Sequence, residues 1–144
     1  MSAFMLDTSC MVAAVCTWHE FHQQACAEIE RRLQAGQEMI AAAPALVEAY
    51  AVLTRLPPPH RLRSKDAFEL LRANFINGAK VAALSSRSYL ALTRWASENE
   101  VVGGRIYDSV IAACASAGQA DALVTFNDSD FLSLKQKGLE IVRP

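Results

Sequence analysis

Several features that mark other protein classes are missing from this sequence of 144 residues. It has no surplus of basic residues, because 14 lysines and arginines stand against 15 aspartates and glutamates, whereas proteins that coat a nucleic-acid duplex usually carry such a surplus. No apolar run reaches the ~20 residues of a membrane span, and the N-terminal MSAFMLD lacks a basic leader and a cleavage site. We therefore expect a cytoplasmic protein without a membrane or duplex-DNA partner, whose contact with nucleic acid depends on a local patch or a metal ion.

Motifs of common cofactor sites are also scarce. The chain has no glycine-rich motif of the GxGxxG or GxxxxGK[ST] type, which argues against a nucleotide cofactor. Its four cysteines form no CxxC motif and are predicted to be reduced core residues. Cys16, His19, His22 and Cys26 resemble a zinc set, but on one helix the two cysteines would stand about 15 Å apart. One Zn²⁺ ion cannot span that distance, so we predict no zinc site.

The sequence does have enough apolar residues, 52% of the chain, for the core of one domain over residues 1–144. Four glycines each follow a helical-looking stretch and precede an apolar run, where a left-handed glycine commonly ends a helix. These are Gly36, Gly78, Gly118 and Gly138. The repetition of helix, glycine and short apolar strand predicts an alternating α/β chain. Strands are predicted at Ala3–Leu6, Glu38–Ala42, Lys80–Leu84, Ala122–Thr125 and Leu139–Val142.

Helical segments are predicted between these strands. The helix at Pro44–Leu56 opens with a proline in its first turn, and its apolar stripe includes Val47, Tyr50 and Leu53. Ser64 is expected to cap the helix that follows the three prolines. The full set of predicted helices is Ala25–Gln34, Pro44–Leu56, Lys65–Phe75, Arg87–Glu98, Tyr107–Ala117 and Phe131–Lys137. Together these elements predict a three-layer α/β/α domain with a mostly parallel central sheet of about five strands.

Acidic residues fall where the predicted strands end or the next helices begin. Asp7 ends the first strand, Glu48 lies early in the helix after the second, and Asp108 opens the helix that leads to the fourth. A further group directly after the fourth strand consists of Asn127, Asp128 and Asp130. In open parallel sheets, ligands bind outside the carboxyl ends of the strands. We therefore expect these residues, distant in sequence, to converge on one edge of the sheet.

Each acid also has a purely structural interpretation. Asp7 could cap the next helix, and Glu48 could be an ordinary solvated helix residue. Asp108 could cap its own helix, but it precedes the uncharged stretch SVIAACASAGQA, which predicts a buried helix. Carboxylates brought together near a buried element repel one another, and Mg²⁺ or Mn²⁺ would remove that conflict. The reaction class that this chemistry favours is hydrolysis of a phosphodiester.

Four segments spread over nearly the whole chain resemble the PIN-domain ribonucleases, and especially the VapC toxins of bacterial toxin–antitoxin pairs. They are FMLDTS, LVEAYAVLTRLP, GGRIYDSVIAACASAG and VTFNDSDF. The first three segments place Asp7, Glu48 and Asp108 at the three principal acids of the family. In the fourth, Asn127 stands where many relatives carry Asp, while Asp130 three residues later reproduces the arrangement of other relatives.

The resemblance implies a single PIN domain with Mg²⁺- or Mn²⁺-dependent endoribonuclease activity. Asp7, Glu48, Asp108 and Asp130 would bind one or two ions, and Asn127 would orient a water or a carboxylate. Supporting roles are expected for Thr8, Ser9, Asp128 and Arg105. The expected partners are an RNA substrate, a cognate VapB-like antitoxin, and a second copy of the chain in a homodimer. The apolar helical surface after the second strand is the expected dimer interface.

Two other functions remain open from the sequence. A phosphotransfer domain of Rossmann-like fold, such as a phosphatase or a response-regulator receiver, also places an Asp after a parallel strand. A catalytically inactive PIN module would keep the fold and only bind a partner. Outside the acids, the segment Arg55–Lys65 is either a basic lip that guides RNA or a solvated loop. Trp18 and Trp95 are expected to be packing or interface residues.

Overall fold

A computed structural model describes residues 2–134 and 136–144 of the chain. Within them, the strands are β1 (Ala3–Leu6), β2 (Glu38–Ala42), β3 (Lys80–Ala82), β4 (Ala122–Val124) and β5 (Glu140–Val142). They form one sheet in the order β3-β2-β1-β4-β5, and every neighbouring pair is parallel. The predicted α/β fold with about five strands is confirmed, and the described sheet is parallel throughout rather than mostly so.

Helices connect the strands, as predicted. Within the described residues they are α1 (Thr8–Val15), α2 (His22–Gln34), α3 (Ala43–Thr54), α4 (Ser64–Leu71), α5 (Ser86–Glu98), α6 (Arg105–Ala117) and α7 (Asp128–Leu132). Helix α1 was not among the predicted helices, and it begins directly after β1. Its start is fixed by Asp7, whose side chain accepts a hydrogen bond from the backbone N–H of Cys10. No helix in the described part of the chain is long and apolar enough to cross a membrane.

The helix after the three prolines differs from its prediction in two ways. The predicted single helix at Lys65–Phe75 is instead α4 followed by a π-helical turn at Arg72–Ile76. Ser64 is the first residue of α4 rather than its cap, because the extended backbone at Arg63 marks the N-cap position. The wider π-helical turn places Phe75 in the core, where it is buried.

Helix α7 and strand β4 also differ from their predicted bounds. Helix α7 begins at Asp128, not within the predicted Phe131–Lys137, because Asp128 and Asp130 suit the positive end of the helix dipole. Lys135, which belongs to that predicted range, lies outside the described residues. Strand β4 ends at Val124 instead of Thr125.

The predicted left-handed backbone is confirmed at three of the four glycines, although Gly138 lies in a turn beyond the end of α7, and Gly118 ends α6 without it. Gly36, Gly78 and Gly138 have positive φ angles of 82°, 76° and 84°. Gly118 has φ −83°, and the left-handed residue is Gln119 beside it, with φ 60°. Gly118 is instead a point of close packing, because an added Cβ would lie 3.2 Å from atoms of both β2 and β3. Its missing side chain lets α6 approach the sheet.

The predicted apolar stripe of α3 is divided between the core and the surface. Leu53 is buried, but Val47 is 71% exposed and Tyr50 is also exposed. The side of α3 that packs inward carries small residues, Ala45 and Ala49, which are completely buried. The alanines allow α3 to pack closely, while Val47 and Tyr50 are left on the molecular surface.

Candidate active site

Three of the predicted acids line one pocket of about 360 Å³ at the carboxyl edge of the sheet. The register of β1 aligns Leu6 with Val124 of β4, and the backbone N–H of Asp7 donates to the Val124 carbonyl at 3.1 Å. Asp7 therefore emerges at the same level as the residues that follow β4. Helices α3 and α6 bring Glu48 and Asp108 to the other side of the same pocket. We call it the acid pocket.

Asp7 is both a helix cap and a wall of the acid pocket. It is only 4% exposed, and one carboxylate oxygen accepts from Ser9 Oγ at 2.6 Å and from the Cys10 backbone N–H at 3.0 Å. The other oxygen accepts from Thr125 Oγ1 at 2.6 Å. Burial raises the pKa of Asp7, and these hydrogen bonds oppose that rise. Asp7 therefore caps α1, as the structural interpretation predicted, and it also lines the acid pocket.

Thr125 is a residue of this site that the sequence analysis did not identify. Its side chain is completely buried, and its hydroxyl both donates to Asp7 and accepts from the backbone N–H of Asn127 at 2.9 Å. Ser9 acts in a similar way, since its hydroxyl accepts from the Phe126 backbone N–H at 3.2 Å. These two hydroxyls tie the end of β1 to the loop after β4. A hydroxyl residue at the end of a buried strand is the signal that could have pointed to Thr125.

The opposite wall of the acid pocket is much more open. Glu48 is exposed in the second turn of α3, and Asp108 is half-buried in the first turn of α6. Asp108 does not cap its helix, because Gly104 occupies the N-cap position and no side chain caps that helix end. Burial raises the pKa of Asp108, and the charges of Asp130, Asp7 and Glu48 raise it further, while Arg105 opposes them. The charges of Asp7, Glu48, Asp108 and Asp130 are therefore close enough to influence one another.

Of the remaining predicted site residues, some line the acid pocket and others make contacts outside it. Asn127, Thr8 and Ser9 line the acid pocket. Asp130 is not in its lining, although its charge is felt by Asp108. Asp128 pairs with Arg143 at 3.1 Å. The expected supporting residue Arg105 donates to Ser133 Oγ at 2.6 Å.

The acid pocket suits a hard divalent cation by the chemistry of its donors. All the predicted ligands are carboxylates, which Mg²⁺ and Mn²⁺ prefer. The hydroxyl oxygen of Thr8 is buried at the pocket wall and has no hydrogen-bond partner among the described residues, so the site holds a polar atom that a bound group would satisfy. As the side chains stand, no three acidic, histidine or cysteine residues in the described ranges are close enough to hold an ion. Binding an ion would therefore require some of these side chains to move closer together.

The residues that resembled a zinc set do not share one helix. Helix α1 ends at Val15 and α2 begins at His22, so Cys16 and His19 lie in the turn between them. His19 lines the acid pocket, which the sequence analysis did not predict. All four cysteines are free thiols, and Cys26 is the one that is not fully buried.

Comparisons with known proteins agree with this geometry. The family model for the PIN domain matches residues 4–137. Over 117 residues the chain is 41% identical to Ribonuclease VapC40 of Mycobacterium tuberculosis, which covers 81% of each sequence. Ribonuclease VapC27 of the same organism is 42% identical over 77 residues, 54% of each chain.

Solved structures show the same fold at low sequence identity. VapC20 of Mycobacterium tuberculosis, described as a toxin that cleaves the sarcin–ricin loop, superposes with a TM-score of 0.68 and 14% identity, covering 91% of this chain and 95% of that one. VapBC2 from Rickettsia felis, bound to a DNA fragment from its promoter, gives a TM-score of 0.69 and 18% identity, with 99% and 98% covered. The match of the family model over almost the whole chain and the identity to VapC40 show that this protein belongs to the PIN domain family, among its VapC-type members.

Proposed function

We propose that this protein is a Mg²⁺- or Mn²⁺-dependent endoribonuclease and the toxin of a toxin–antitoxin pair. The observation that supports this most directly is the acid pocket, which is lined by Asp7, Glu48 and Asp108 although they are far apart in sequence. Two relatives that are more than 40% identical over the matched regions are named ribonucleases. By extension, we propose that RNA is the substrate of this chain.

In this proposal Asp7, Glu48, Asp108 and Asp130 hold the cation. When bound, the ion neutralises charge on the phosphodiester and lowers the pKa of water. Asp7 is the fixed member of the set, because its hydrogen bonds to Ser9, Cys10 and Thr125 hold its carboxylate in place. The exposed Glu48 adjusts to the ion, and Asn127 offers an amide N–H₂ at the pocket wall to a phosphate oxygen.

The proposed partners are a VapB-like antitoxin and a second copy of the chain. Several structural neighbours are complexes of the VapBC type, which supports the antitoxin. The homodimer is supported by large apolar side chains left on the surface by α3, α5 and α6, because such side chains cluster at interfaces. They include Val47 (71% exposed), Leu90 (74%) and Tyr107 (67%). Light scattering of wild type and Val47→Asp would test the dimer, with a shift to monomer expected for the variant.

A cleavage assay with mapped RNA ends tests the nuclease activity. Wild type with Mn²⁺ should produce defined internal cuts, whereas chelation with EDTA should abolish them and the substitution Asp108→Asn should reduce them severely. A matched control is Glu98→Gln, which also changes a carboxylate to an amide but on the exposed face of α5, where Glu98 pairs with Arg94. It should cut RNA like the wild type.

The same assay separates the proposal from its alternatives. An inactive PIN module would leave every RNA intact with Mn²⁺, and Asp108→Asn would then change nothing. A phosphotransfer domain would turn over acetyl phosphate. The structure offers the phosphotransfer hypothesis little support. A phosphatase of this kind needs a second Asp at the position of Ser9, and Ser9 instead donates a hydrogen bond to Asp7.

A further inference from the structure

Aromatic rings lead from the acid pocket to the basic segment Arg55–Lys65. His19 lines the pocket, and its ring centroid lies 5.9 Å from that of Trp18. The Trp18 ring in turn stacks on His60 at a centroid distance of 4.1 Å and an angle of 23°. His60 belongs to the basic segment, so three side chains connect the proposed catalytic acids with a run of positive charge.

The turn that carries these rings is held firmly by hydrogen bonds. The backbone N–H of His19 donates to the Cys16 carbonyl at 2.9 Å, and the His19 carbonyl accepts from the His22 N–H at 3.0 Å. The His19 ring is also fixed, because its Nδ1 accepts from the Phe21 backbone N–H at 3.1 Å. Nδ1 therefore carries no hydrogen when the ring is neutral, and Nε2 is the donor. Trp18 is thus presented from a defined position beside the pocket.

Trp18 stacks on His60 and is still open to solvent. His60 stacks on one face, yet 46% of Trp18 is exposed. Trp18 therefore keeps a large part of its surface open to solvent although it stacks on His60. A flat aromatic face next to a charged groove is the surface on which proteins stack the bases of single-stranded nucleic acid.

Positive charge beside the rings fits the backbone of such a strand. Arg61 follows His60 directly and is exposed, and it forms no ion pair with any described residue. Arg63 is also exposed, although it pairs with Asp66 at 3.0 Å. Lys65 completes the group. Phosphates passing this segment would be attracted to it while bases stack on the ring.

We propose that Trp18, backed by His60, is a stacking platform for one unpaired base of the RNA. It positions the strand so that a neighbouring phosphate enters the acid pocket past His19. The identity of the ligand as RNA rests on the proposed nuclease function, whereas the platform itself rests on the ring geometry. Trp18 is a positioning residue in this scheme, because it contacts a base and not the reacting phosphate.

Fluorescence of the intact chain tests the platform directly, since the protein has two tryptophans. In an Asp108→Asn background that leaves RNA uncut, Trp95→Phe makes Trp18 the reporter, and Trp18→Phe makes Trp95 the reporter. The probe is a random-sequence single-stranded RNA pool of about eight nucleotides, a length within the usual site size. We expect saturable quenching of Trp18 and no change for Trp95, which is similarly exposed at 43% but lines a different pocket that contains none of the proposed catalytic acids.

Binding constants of four variants give the second readout. Trp18→Ala should weaken binding by about five- to a hundred-fold, the usual effect of losing one stacked base. Trp18→Phe should restore most of the affinity because it keeps an aromatic face, and Trp18→Leu should not, although it keeps the bulk. Trp95→Ala should bind like the wild type. The melting temperatures of all four variants should stay close to that of the wild type, because both side chains lie at the surface rather than in the core.

The platform and the nuclease can fail separately. If Trp18→Ala and Trp95→Ala bind RNA equally well, or if Trp18 stays unquenched while RNA binds, the platform is wrong even when wild type cuts RNA. The platform is also wrong if the RNA pool does not bind at all. If Trp18 is quenched and Trp18→Ala binds weakly while wild type with Mn²⁺ cuts nothing, the platform stands and the nuclease proposal is wrong.

Discussion

The two walls of the acid pocket hold the same kind of charge in different ways. On the strand side, Asp7 is buried and accepts hydrogen bonds from Ser9, Cys10 and Thr125. On the helix side, Glu48 is exposed and Asp108 is half-buried, and neither carboxylate accepts a hydrogen bond or forms an ion pair with another described residue.

This difference indicates that the strand wall mainly supports folding, whereas the helix wall mainly serves function. A buried carboxylate is tolerated when the fold supplies donors to it, so the strand wall depends on correct pairing of β1 with β4. The charges of the helix wall have no hydrogen-bond or ion-pair partners among the described residues, and their mutual repulsion destabilises the folded protein in the absence of a cation. Changes to the strand wall should therefore lower stability, and changes to the helix wall should lower activity without lowering stability.

The largest effect is expected from Asp108→Asn on the helix wall. Removing one electrostatic group from the site should lower RNA cleavage by about 10²- to 10³-fold. Stability should stay the same or rise, because burial and the neighbouring acids raise the pKa of Asp108 and thus disfavour its charged form in the folded protein. Cleavage rates and thermal melts of the same preparation check both halves. A variant that loses activity together with several degrees of melting temperature would contradict the comparison.

On the strand wall, Thr125→Val should mainly affect stability. The substitution keeps the shape but removes the donor to Asp7 and the acceptor for the Asn127 N–H. Leaving such buried groups unpaired costs about 1–3 kcal/mol, so urea unfolding should show a lower midpoint with an unchanged slope. Thr125→Ser keeps the hydroxyl and should recover most of the loss. Equal stability of the Val and Ser variants would show that the hydroxyl network does not support Asp7.

Binding of Mn²⁺ should stabilise the protein through the helix wall. At a free concentration ten times the dissociation constant, a ligand that binds only the folded state adds about 1.4 kcal/mol. We expect the melting temperature of wild type to rise with Mn²⁺ and that of Asp108→Asn to stay nearly constant. Glu98→Gln provides the reference for nonspecific binding to carboxylates, and it should respond like the wild type. An equal rise in all three proteins would place the ion elsewhere.

The sequence was sufficient to predict the strands because each is a short apolar run after a glycine or at the start of the chain. It was not sufficient for α1, since Thr8–Val15 carries no charge and its apolar residues give no helical period. Gly118 ends α6 as predicted, but its left-handed backbone was predicted wrongly for a different reason. Its role is the packing of α6 against β2 and β3, which becomes visible only when the neighbouring strands are in place.

The acids of the site could be predicted from residue type and position, whereas their supports could not. Asp7 and Thr125 are 118 residues apart in sequence, and their hydrogen bond exists because the register of β1 and β4 brings the two strand ends together. No local pattern contains that information. The buried hydroxyl of Thr8 and the approach of His19 to the pocket likewise depend on how α1 and the following turn lie against the sheet.

The smallest expected effect is a pH dependence that distinguishes Asp108→Asn from the wild type. Because the pKa of Asp108 in the folded protein is raised above its ordinary 3.8, the folded state binds more protons than the unfolded state between these two values. Stability contributed by this group therefore falls as the pH rises through that window. In the presence of EDTA, Asp108→Asn should be more stable than wild type at pH 7, and the difference should shrink as the pH approaches 3.8. Urea unfolding at both pH values measures it. A difference that stays constant would mean that the charge of Asp108 does not strain the folded protein, and the contrast between the two walls would then lie in solvent exposure alone.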